Sequence, residues 1–532
     1  MAANFDCVFI GGGHNSLTCA SYMAKSGLKT LVIERRNYVG GASITVERIP
    51  YYKYNIHSFS YQAVPARPPF KDLNVGKYCE LLLAPVQIAL AKDDGKNLCI
   101  HVDPRKTAKA LKKFSQRDAA KFPKIYERYR NMVNRMLIPT YYTDPFERTD
   151  AEEKAAISKI PDGEYFLETR AKTVIQHAED TWESEEMRLV EAIGPLLVGL
   201  PSNAPGSAVS LTSLPLLKET YVVKGGSGNF AQALRRIFLE AGGEILEGVH
   251  VDRVLVKEGR ARGVALANGK EIHAKRFVVS GVDVRQSFER FIELDSLPRE
   301  WKEGLRDYRW AKSTDLGVHM ALREAPKYNE RLRQWDGNID LALRIYVGYD
   351  SMRDLKEELE GIESGRISKR VEKQRFEVLH PTRVDPSQAP FNRHTVFFWD
   401  FVKCAGNENI GEWDQLGAVA AELDKAQWRR FAPNMTEENI LDTFVYTPLD
   451  IQRTFINMAY GDFQMRSADM PPRAMPGAKT PIQGYYYCGS GLFPGGGITM
   501  APGYVAANVI AKKEGIRPWW EPVVWGKEYP FL

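Results

Sequence analysis

The most constraining feature of the sequence is a glycine-rich turn that directly follows a short apolar run near the N-terminus. Residues 7–10 (Cys-Val-Phe-Ile) are typical of a buried parallel strand. The next six residues match G-x-G-x-x-G with serine in the last place, a small residue that still lets a helix pack closely on the strand: Gly11-Gly12-Gly13-His14-Asn15-Ser16. An amphipathic helix is predicted to about Ser26, and a second strand, 30–33, ends on Glu34. This order predicts a Rossmann-like unit.

Each part of this unit has a role in binding a dinucleotide. The glycines let the backbone approach a pyrophosphate, which would lie at the positive end of the helix. Glu34 comes 21 residues after Gly13, where a carboxylate would accept hydrogen bonds from the ribose hydroxyls. We therefore predict a dinucleotide-binding domain at the N-terminus.

The residues after Glu34 bear on which dinucleotide is bound. Residues 34–43 resemble the E-x-R-x-x-x-G-G-x-x extension of the flavoprotein superfamily of amine oxidases, phytoene desaturases and Rab GDP-dissociation inhibitors. Gly40 and Gly41 permit another tight backbone turn, and Arg36 can lie against the adenosine or phosphate end. By this resemblance the cofactor is FAD, and residues 55–59, which include His57 and Ser58, pass over the flavin ring.

A second glycine cluster, Gly225-Gly226-Ser227-Gly228, lies in the middle of the chain. It leads into a predicted helix at 231–241, strands at 244–246 and 249–254, and a hairpin that turns at Asn268-Gly269. In the family this region is the second flavin-binding stretch, where a backbone group at the position of Val249 contacts adenine. A separate NAD(P) site at 226–228 is the alternative interpretation, although no acid-ended strand stands at the usual distance.

Residues 485–504 form the most distinctive segment, YYYCGSGLFPGGGITMAPGY. A strand, a glycine-rich loop and an alanine-rich helix are predicted, with the helix beginning near Thr499. Its free N–H groups would face the flavin pyrimidine and stabilise negative charge on the reduced ring. The string resembles the C-G-[SA]-G-x-x-P-G-G-G-[VI] ending of phytoene desaturase-like flavoproteins, and the branch that contains pyridine nucleotide-disulphide oxidoreductase domain-containing protein two is the most similar. Matches at 114–123, 225–229 and 457–462 extend the resemblance over nearly the whole chain, whereas His57-Ser58 and Leu492-Phe493 depart from the family's usual residues.

The predicted site therefore combines residues from several parts of the chain. The candidate cofactor-binding residues are Gly11, Gly13, His14, Asn15, Ser16, Glu34, Arg35, Arg36, Gly40, Gly41, Ala42, Ser43, His57, Ser58, Val249, Gly489, Ser490, Gly497, Ile498, Thr499 and Met500. His57 is also the candidate catalytic base, because the free pKa of histidine lies near neutrality; a packed or hydrogen-bonded histidine is the alternative. No metal site is predicted, because the six cysteines show no metal-ligand spacing.

The resemblance implies a fold of the α/β plus α+β class, in which two domains interleave. Residues 1–80, 215–290 and 470–515 would form a Rossmann-like FAD-binding domain of the glutathione-reductase type. Residues 81–214 and 291–469 would form a substrate-binding domain with a mixed sheet and helices. A basic amphipathic helix at 121–137 is predicted to pack on the core or to serve as a membrane-surface or lid element. The aromatic tail, 516–532, could pack on the chain, dimerise or contact lipid.

The same resemblance implies an FAD-dependent oxidoreductase of the desaturase or dehydrogenase, saturase or isomerase type. It would transfer hydride between FAD and a hydrophobic, isoprenoid- or carotenoid-like substrate, with oxygen, a quinone or another molecule as electron acceptor. Two alternatives are a flavin oxidase of an amine or an oxygenated aromatic compound, and a non-catalytic lipid-binding or escort protein of the GDP-dissociation-inhibitor type.

Composition narrows the cellular setting. A net charge of +5 over 532 residues is too mild to indicate a nucleic-acid partner. The opening strand differs from a secretory leader, no apolar run is as long as a membrane span, and single scattered thiols fit a reducing compartment. These features predict a cytoplasmic protein, with peripheral membrane contact and homo-oligomerisation left open.

Overall fold

The computed structural model describes residues 5–208, 219–293, 295, 297–365, 373–403 and 410–529. Within these ranges the strands, numbered in chain order, are β1 Phe5–Ile10, β2 Thr30–Ile33, β3 Val46–Glu47, β4 Lys53–Tyr54, β5 Tyr61–Gln62, β6 Leu81–Leu83, β7 Val86–Ala91, β8 Asn97–His101, β9 Thr220–Val223, β10 Glu244–Leu246, β11 Val251–Lys257, β12 Arg260–Leu266, β13 Glu271–Ser280, β14 Ser313–Leu322, β15 Ala342–Val347, β16 Phe376–Leu379, β17 His394–Lys403, β18 Ile440–Tyr446 and β19 Tyr485–Tyr487.

The α-helices of the same ranges, numbered in the same way, are α1 His14–Lys25, α2 Pro68–Asp72, α3 Pro104–Leu111, α4 Gln116–Met132, α5 Ile138–Tyr141, α6 Asp150–Ile157, α7 Gly163–Thr169, α8 Val174–Thr181, α9 Glu185–Ile193, α10 Gly228–Glu240, α11 Arg299–Arg306, α12 Glu330–Trp335, α13 Met352–Ser364, α14 Pro381–Val384, α15 Trp413–Phe431, α16 Pro448–Thr454 and α17 Ala501–Glu514. A π turn, Val133–Leu137, joins α4 to α5.

The first sheet contains a parallel core in the order β10–β2–β1–β13–β19. Its central strands are apolar over nearly their whole length, as expected for strands covered on both faces. The antiparallel strands β11 and β12 continue the sheet from the first half of β13. Helix α1 packs against α17, and the absence of a side chain at Gly503 permits the contact, since a Cβ there would lie 2.2 Å from the carbonyl oxygen of Asn15.

The second sheet is mixed, in the order β18–β14–β17–β16–β15–β7–β8. Of its neighbouring pairs only β15 and β7 are parallel. Tyr346 lies opposite Glu377, and Glu377 lies opposite Trp399, so these three side chains share one face of the sheet. Arg344, two residues before Tyr346, lies on the same face. The opposite face packs on α15, where Phe398 meets Trp428 edge to face at 5.0 Å.

The structure confirms the predicted fold class, a Rossmann-like unit combined with mixed α/β structure. The first sheet lies within the segments predicted to form the FAD-binding domain. The second sheet lies within the segments predicted to form the substrate-binding domain. The domain boundaries themselves remain a prediction, and the one at 214/215 lies outside the described residues. The C-terminal helix begins at Ala501 rather than near Thr499, because Met500 has a left-handed conformation (φ 58°).

Two segments with open interpretations pack against the rest of the chain. The predicted helix at 121–137 is part of α4 and the π turn, and its apolar face, including Phe122, Tyr129 and Met136, is buried in the core. In the aromatic tail, Trp519 stacks on Tyr22 of α1 at 5.3 Å and Trp520 meets the same ring edge to face at 4.7 Å. Across the described residues, no helix combines the length and the apolar character needed to cross a bilayer.

Candidate functional site

The site lies where four parallel strands end at the same edge of the first sheet. Each chain segment that leaves this edge is hydrogen-bonded to the neighbouring strand. The amide of Gly11 donates to the carbonyl of Ile33 (2.8 Å), that of Gly281 to Ile10 (2.9 Å), and that of Cys488 to Ser280 (2.8 Å). Glycine-rich turns from distant parts of the sequence are thereby held side by side at the carboxyl edge, the usual ligand-binding position of open parallel sheets.

One cavity of about 530 Å³ runs from this edge to the second sheet. Most of the predicted cofactor-binding residues form part of its wall: Gly11, Gly13, His14, Asn15, Glu34, Arg35, Arg36, Gly41, Ala42, His57, Ser58, Val249, Ser490, Gly497, Ile498 and Thr499. The structure thus brings together residues from all three segments of the predicted FAD-binding domain.

The other predicted residues lie behind the wall rather than in it. The hydroxyl of Ser43 bonds to the phenol of Tyr61 (2.8 Å) and donates to the carbonyl of Ser227 (3.0 Å). A Cβ at Gly489 would lie 2.3 Å from the carbonyl oxygen of Val282, so this glycine permits close packing. Ser16, Gly40 and Met500 are likewise buried. These residues support the loops that line the cavity.

The first glycine turn contains one position that the protein's own packing leaves open. At Gly11, a Cβ would approach Val282 at 2.9 Å, and at Gly12 it would approach Val39 at 2.8 Å. At Gly13, whose φ of −68° suits any residue, a Cβ would meet no atom within 4 Å. Steric and conformational demands of the protein therefore do not require glycine at position 13, whereas a ligand seated on the start of α1 would.

Asn15 connects this turn to the C-terminal loop. Its side-chain amide donates to the hydroxyl of Ser490 at 3.1 Å, and its Oδ1 is buried without a partner among the described residues. Because a hydroxyl both donates and accepts, the amide can present either its oxygen or its NH₂ group to the cavity while keeping Ser490. Asn15 therefore has one unused hydrogen-bonding group at the dinucleotide end.

Glu34 organises the loops at the end of β2. Its Oε2 accepts from the amide of Gly12 (2.7 Å) and its Oε1 from that of Arg36 (2.9 Å). Its carbonyl accepts from the amide of Val249 (3.0 Å), which holds the 247–250 segment against the site. The carboxylate lines the cavity and retains lone pairs for further donors.

Arg36 joins the dinucleotide end to the second domain. Its guanidinium lies over the ring of Phe455 at 3.7 Å, donates to the hydroxyl of Tyr38 at 2.9 Å, and donates to the carbonyl of Thr454. These contacts orient the side chain along the cavity wall.

His57, the candidate base, lies in an aromatic corner of the wall. Its Nε2 bonds to the hydroxyl of Tyr446 (3.2 Å), and its ring meets Phe455 edge to face at 4.4 Å. Burial, with smaller contributions from Arg36 and His319, lowers the pKa of His57 to about 3. An imidazole with this pKa is neutral at physiological pH and a weak base, so its surroundings favour the packed and hydrogen-bonded interpretation.

The C-terminal loop presents backbone to the cavity. Gly497 has a φ of 89°, and a Cβ there would lie 4.0 Å from the Thr499 methyl group, with no closer atom. The hydroxyl of Tyr142 donates to the carbonyl of Thr499 at 2.6 Å and fixes the segment that precedes α17. This geometry leaves room for a planar ring beside the loop.

The second glycine cluster is filled by protein atoms. The amide of Gly228 donates to the hydroxyl of Thr45 (3.0 Å) and that of Ser227 to Oδ1 of Asn55 (2.8 Å). A Cβ at Gly226 would lie 2.5 Å from Thr45. The donors at the start of α10 are thus already bonded, which disfavours the alternative interpretation of a separate NAD(P) site at 226–228.

Beyond the dinucleotide end the cavity opens into a chamber. No sequence motif predicted the individual residues that line this chamber. Its apolar wall consists of Phe59, Leu137, Tyr141, Phe166, Leu197, Trp399 and Phe493, and buried arginines Arg67, Arg344 and Arg466 also line it. Gly281 and Val282 also line the cavity, beside the first glycine turn. Among these residues, only Gly281-Val282 could have been found from a local sequence pattern, because a glycine there directly follows an apolar strand. The other residues are brought together by tertiary packing.

Comparison with known proteins agrees with this geometry. The family model of the NAD(P)-binding Rossmann-like domain matches residues 10–71. A limonene dehydrogenase chain of Castellaniella defragrans is 28% identical, with 97% of this chain and 96% of that protein aligned. Pyridine nucleotide-disulfide oxidoreductase domain-containing protein 2 of Mus musculus is 26% identical over 95% of this chain and 93% of its own. A lycopene-forming phytoene desaturase of Paracoccus sp. is 26% identical over 54% of this chain and 53% of its own.

Among solved structures, an oxidoreductase from Methanosarcina mazei has a similar fold, with a TM-score of 0.62 and 14% identity over 96% of this chain and all of that one (100%). The named full-length relatives carry oxidoreductase names, which disfavours the escort-protein alternative. The predicted resemblance is thus confirmed, and the chain is an oxidoreductase homologous to limonene dehydrogenase, to pyridine nucleotide-disulfide oxidoreductase domain-containing protein 2 and to phytoene desaturase.

Proposed function

We propose that this chain is an FAD-dependent oxidoreductase that exchanges hydride with a carbon–carbon or carbon–hydrogen unit of a hydrophobic substrate. The observation that carries the proposal is the continuous cavity, which joins a glycine-rich cradle at the carboxyl edge of a parallel sheet to an apolar chamber. A dinucleotide laid along the cradle would therefore have its far end inside the chamber where the substrate binds.

The residues present fit FAD. Gly13 leaves the space that a pyrophosphate would take at the start of α1, and Asn15 has an unused hydrogen-bonding group at the same place. Glu34 retains acceptor capacity for ribose hydroxyls, and Val249 lies beside it on the side where adenine would be bound. When bound, FAD supplies a two-electron acceptor for hydride, chemistry that the side chains lack.

The chain's own residues would act mainly by positioning. The amides of the first turn and of α1 would bind the pyrophosphate, and Arg36 would cover the adenosine or phosphate end. The loop at 497–500 would present backbone N–H groups to the pyrimidine, with α17 stabilising the negative charge of the reduced state. The chamber wall, with Trp399 and Phe59, would exclude water from the substrate.

A hydrophobic substrate is supported by the chamber and by the relatives. Two relatives are named for limonene and phytoene, both isoprenoid hydrocarbons. The wall provides aromatic and aliphatic surface for such a molecule, and the neutral imidazole of His57 adds no charge. Hydride removal from such substrates needs a shaped apolar pocket more than a strong base.

Purified protein tests the proposal directly. We expect a flavin absorption spectrum and the mass of FAD in the denatured supernatant. Mixed anaerobically with limonene, with geraniol and with putrescine, the protein should lose its flavin band with an isoprenoid and retain it with the amine. A protein that purifies colourless and takes up no added FAD contradicts the cofactor, and bleaching by putrescine alone favours the amine oxidase alternative. Reoxidation by oxygen or by a soluble quinone would identify the acceptor.

A further inference from the structure

The chamber contains a buried cation that the protein does not neutralise. Arg67 precedes α2 and lines the cavity, yet its side chain is only 2% exposed. Its Nη2 donates to the carbonyl of Gln62 at 3.2 Å. Neither Nε nor Nη1 forms a hydrogen bond of normal geometry in the described part of the chain, and Arg67 belongs to no ion pair of that part.

The other two buried arginines of the wall are accommodated differently. Arg344 pairs with the carboxylate of Glu377 at 3.1 Å and donates to the hydroxyl of Ser60 at 2.5 Å. Arg466 donates to the carbonyl of Pro471 at 2.7 Å. Arg344 also has two nitrogens without a hydrogen bond, Nε and Nη1, but its charge is paired with Glu377. Arg67 differs from Arg344 in having no such carboxylate, and from Arg466 in having two buried nitrogens, Nε and Nη1, available to bind an oxyanion.

An unpaired buried charge is costly, because the loss of hydration is not repaid by an opposite charge. Proteins retain such a group where a ligand supplies the counterion. We propose that Arg67 binds an oxyanion of a ligand in the chamber. The inference rests on the proposed function and deepens it, since it assigns the ligand one acidic or enolic oxygen in addition to its apolar body.

The position of Arg67 allows two sources for that oxyanion. Tyr142 connects Arg67 to the C-terminal loop: its hydroxyl donates to the carbonyl of Thr499. Burial raises the pKa of Tyr142 to about 12, and the charge and hydrogen bonding of Arg67 oppose that rise. The anion could thus belong to the substrate, as a carboxylate, or to the flavin, as the negative charge that develops beside this loop on reduction. Both require the same guanidinium.

Arg67→Met tests the inference, because methionine keeps much of the length and removes the charge. Octanoate is the probe and 1-octanol its uncharged match, each titrated against FAD-loaded protein with the flavin spectrum as readout. The reduction potential is measured in parallel. Arg260→Met is the control, since Arg260 also has an unsatisfied buried Nε but does not line the cavity.

For a substrate anion we expect octanoate to bind Arg67→Met about tenfold more weakly than wild type, with 1-octanol unchanged and Arg67→Lys intermediate. For a flavin anion we expect a lower reduction potential in Arg67→Met, with octanoate unaffected. Unchanged octanoate affinity together with an unchanged potential overturns the inference. If the protein proves to take no FAD, protection of the apoprotein by octanoate in thermal unfolding still tests Arg67 while the cofactor proposal fails separately.

Discussion

The side-chain amide of Asn15 donates to the hydroxyl of Ser490 across 475 positions of the chain, at a distance of 3.1 Å. Asn15 lies in the first turn of α1, and Ser490 lies in the loop that leads to α17. This hydrogen bond joins the two halves of the proposed cofactor site, so neither half is complete until the N-terminal and C-terminal segments have packed together. Cofactor loading should therefore report on the folding of the whole chain.

Replacement of Gly13 by alanine tests whether a bound ligand, rather than the protein's own packing, requires glycine at this position. No atom within 4 Å and no unusual backbone angle oppose the methyl group, so the apoprotein should keep its stability. A bound pyrophosphate would meet that methyl group, and FAD affinity should fall about tenfold or more in titrations of apoprotein. Gly361→Ala, equally open but in the middle of α13, is the control and should bind FAD normally. Equal affinity in both variants would place the pyrophosphate elsewhere.

Glu34→Gln tests the ribose acceptor. The amide keeps the size of the side chain but replaces one acceptor oxygen by an NH₂ group, which also weakens the bonds to Gly12 and Arg36. The loss in FAD affinity should be about 1–3 kcal/mol, measured by fluorescence titration. Glu244→Gln, on the neighbouring strand and exposed, should bind FAD as wild type does. An unaffected affinity in Glu34→Gln means that the ribose binds another group.

Gly497→Val tests the C-terminal loop. A β-branched side chain is strained at a φ of 89° and would project into the cavity where the ring is expected. The variant should fold, retain FAD poorly, and show a lower reduction potential in the loaded fraction. Gly269→Val is matched in backbone strain (φ 81°) and open space but lies in the β12–β13 turn, so it should load normally. Full loading and an unaltered potential in Gly497→Val would leave the loop with a structural role only.

His319→Phe should change how stability depends on pH. His319 is enclosed by Tyr54, Phe397 and Phe444, and burial lowers its pKa from 6.5 to about 3. Below pH 6.5 the unfolded chain takes up a proton here that the folded chain does not, so stability falls as the pH falls towards 3. Between about pH 7.5 and about pH 5, the wild type should lose about 2 kcal/mol more unfolding free energy than the variant, as measured by urea denaturation. Parallel pH dependences would contradict the lowered pKa, because they would show that His319 takes up its proton as readily in the folded chain as in the unfolded one.

Trp520→Ala tests the packing of the aromatic tail. The indole is 6% exposed, meets Tyr22 edge to face, and donates to the side chain of Asn508 at 2.7 Å. Its loss should lower the unfolding free energy by about 3–5 kcal/mol. Trp519→Ala, at 37% exposure, should cost less. Weaker binding to anionic vesicles with unchanged thermal stability would instead assign the tail to a membrane.

Much of the dinucleotide end was predictable from local sequence. Strand β1, the turn at 11–16, α1 and Glu34 follow one another within about thirty residues, so their spacing alone indicates their arrangement. The family pattern also predicted that the N-terminal end of α17 faces the same edge of the first sheet. The start of that helix was misplaced by two residues, because the left-handed conformation of Met500 is set by its surroundings rather than by methionine itself.

The chamber was not predictable in the same way. Arg67, Arg344 and Trp399 come from three unrelated segments, and no spacing in the sequence relates them. The sequence disfavoured a nucleotide site at 226–228 only through the missing acid-ended strand; that Thr45 and Asn55 fill this cluster, whereas Gly13 of the first turn remains open, is visible only in the structure. That distinction depends on which side chains from elsewhere approach the backbone.

The sequence by itself determined the Rossmann-like unit, because its hydrophobic periods, glycines and terminal acid are local signals whose physics acts within one strand–helix–strand segment. Tertiary structure alone decided that burial lowers the pKa of His57, that Arg67 has no ion pair among the described residues, and that Trp520 of the aromatic tail is buried. Desolvation and charge pairing depend on neighbours distant in sequence, so these properties exist only once the two domains have packed around the cavity.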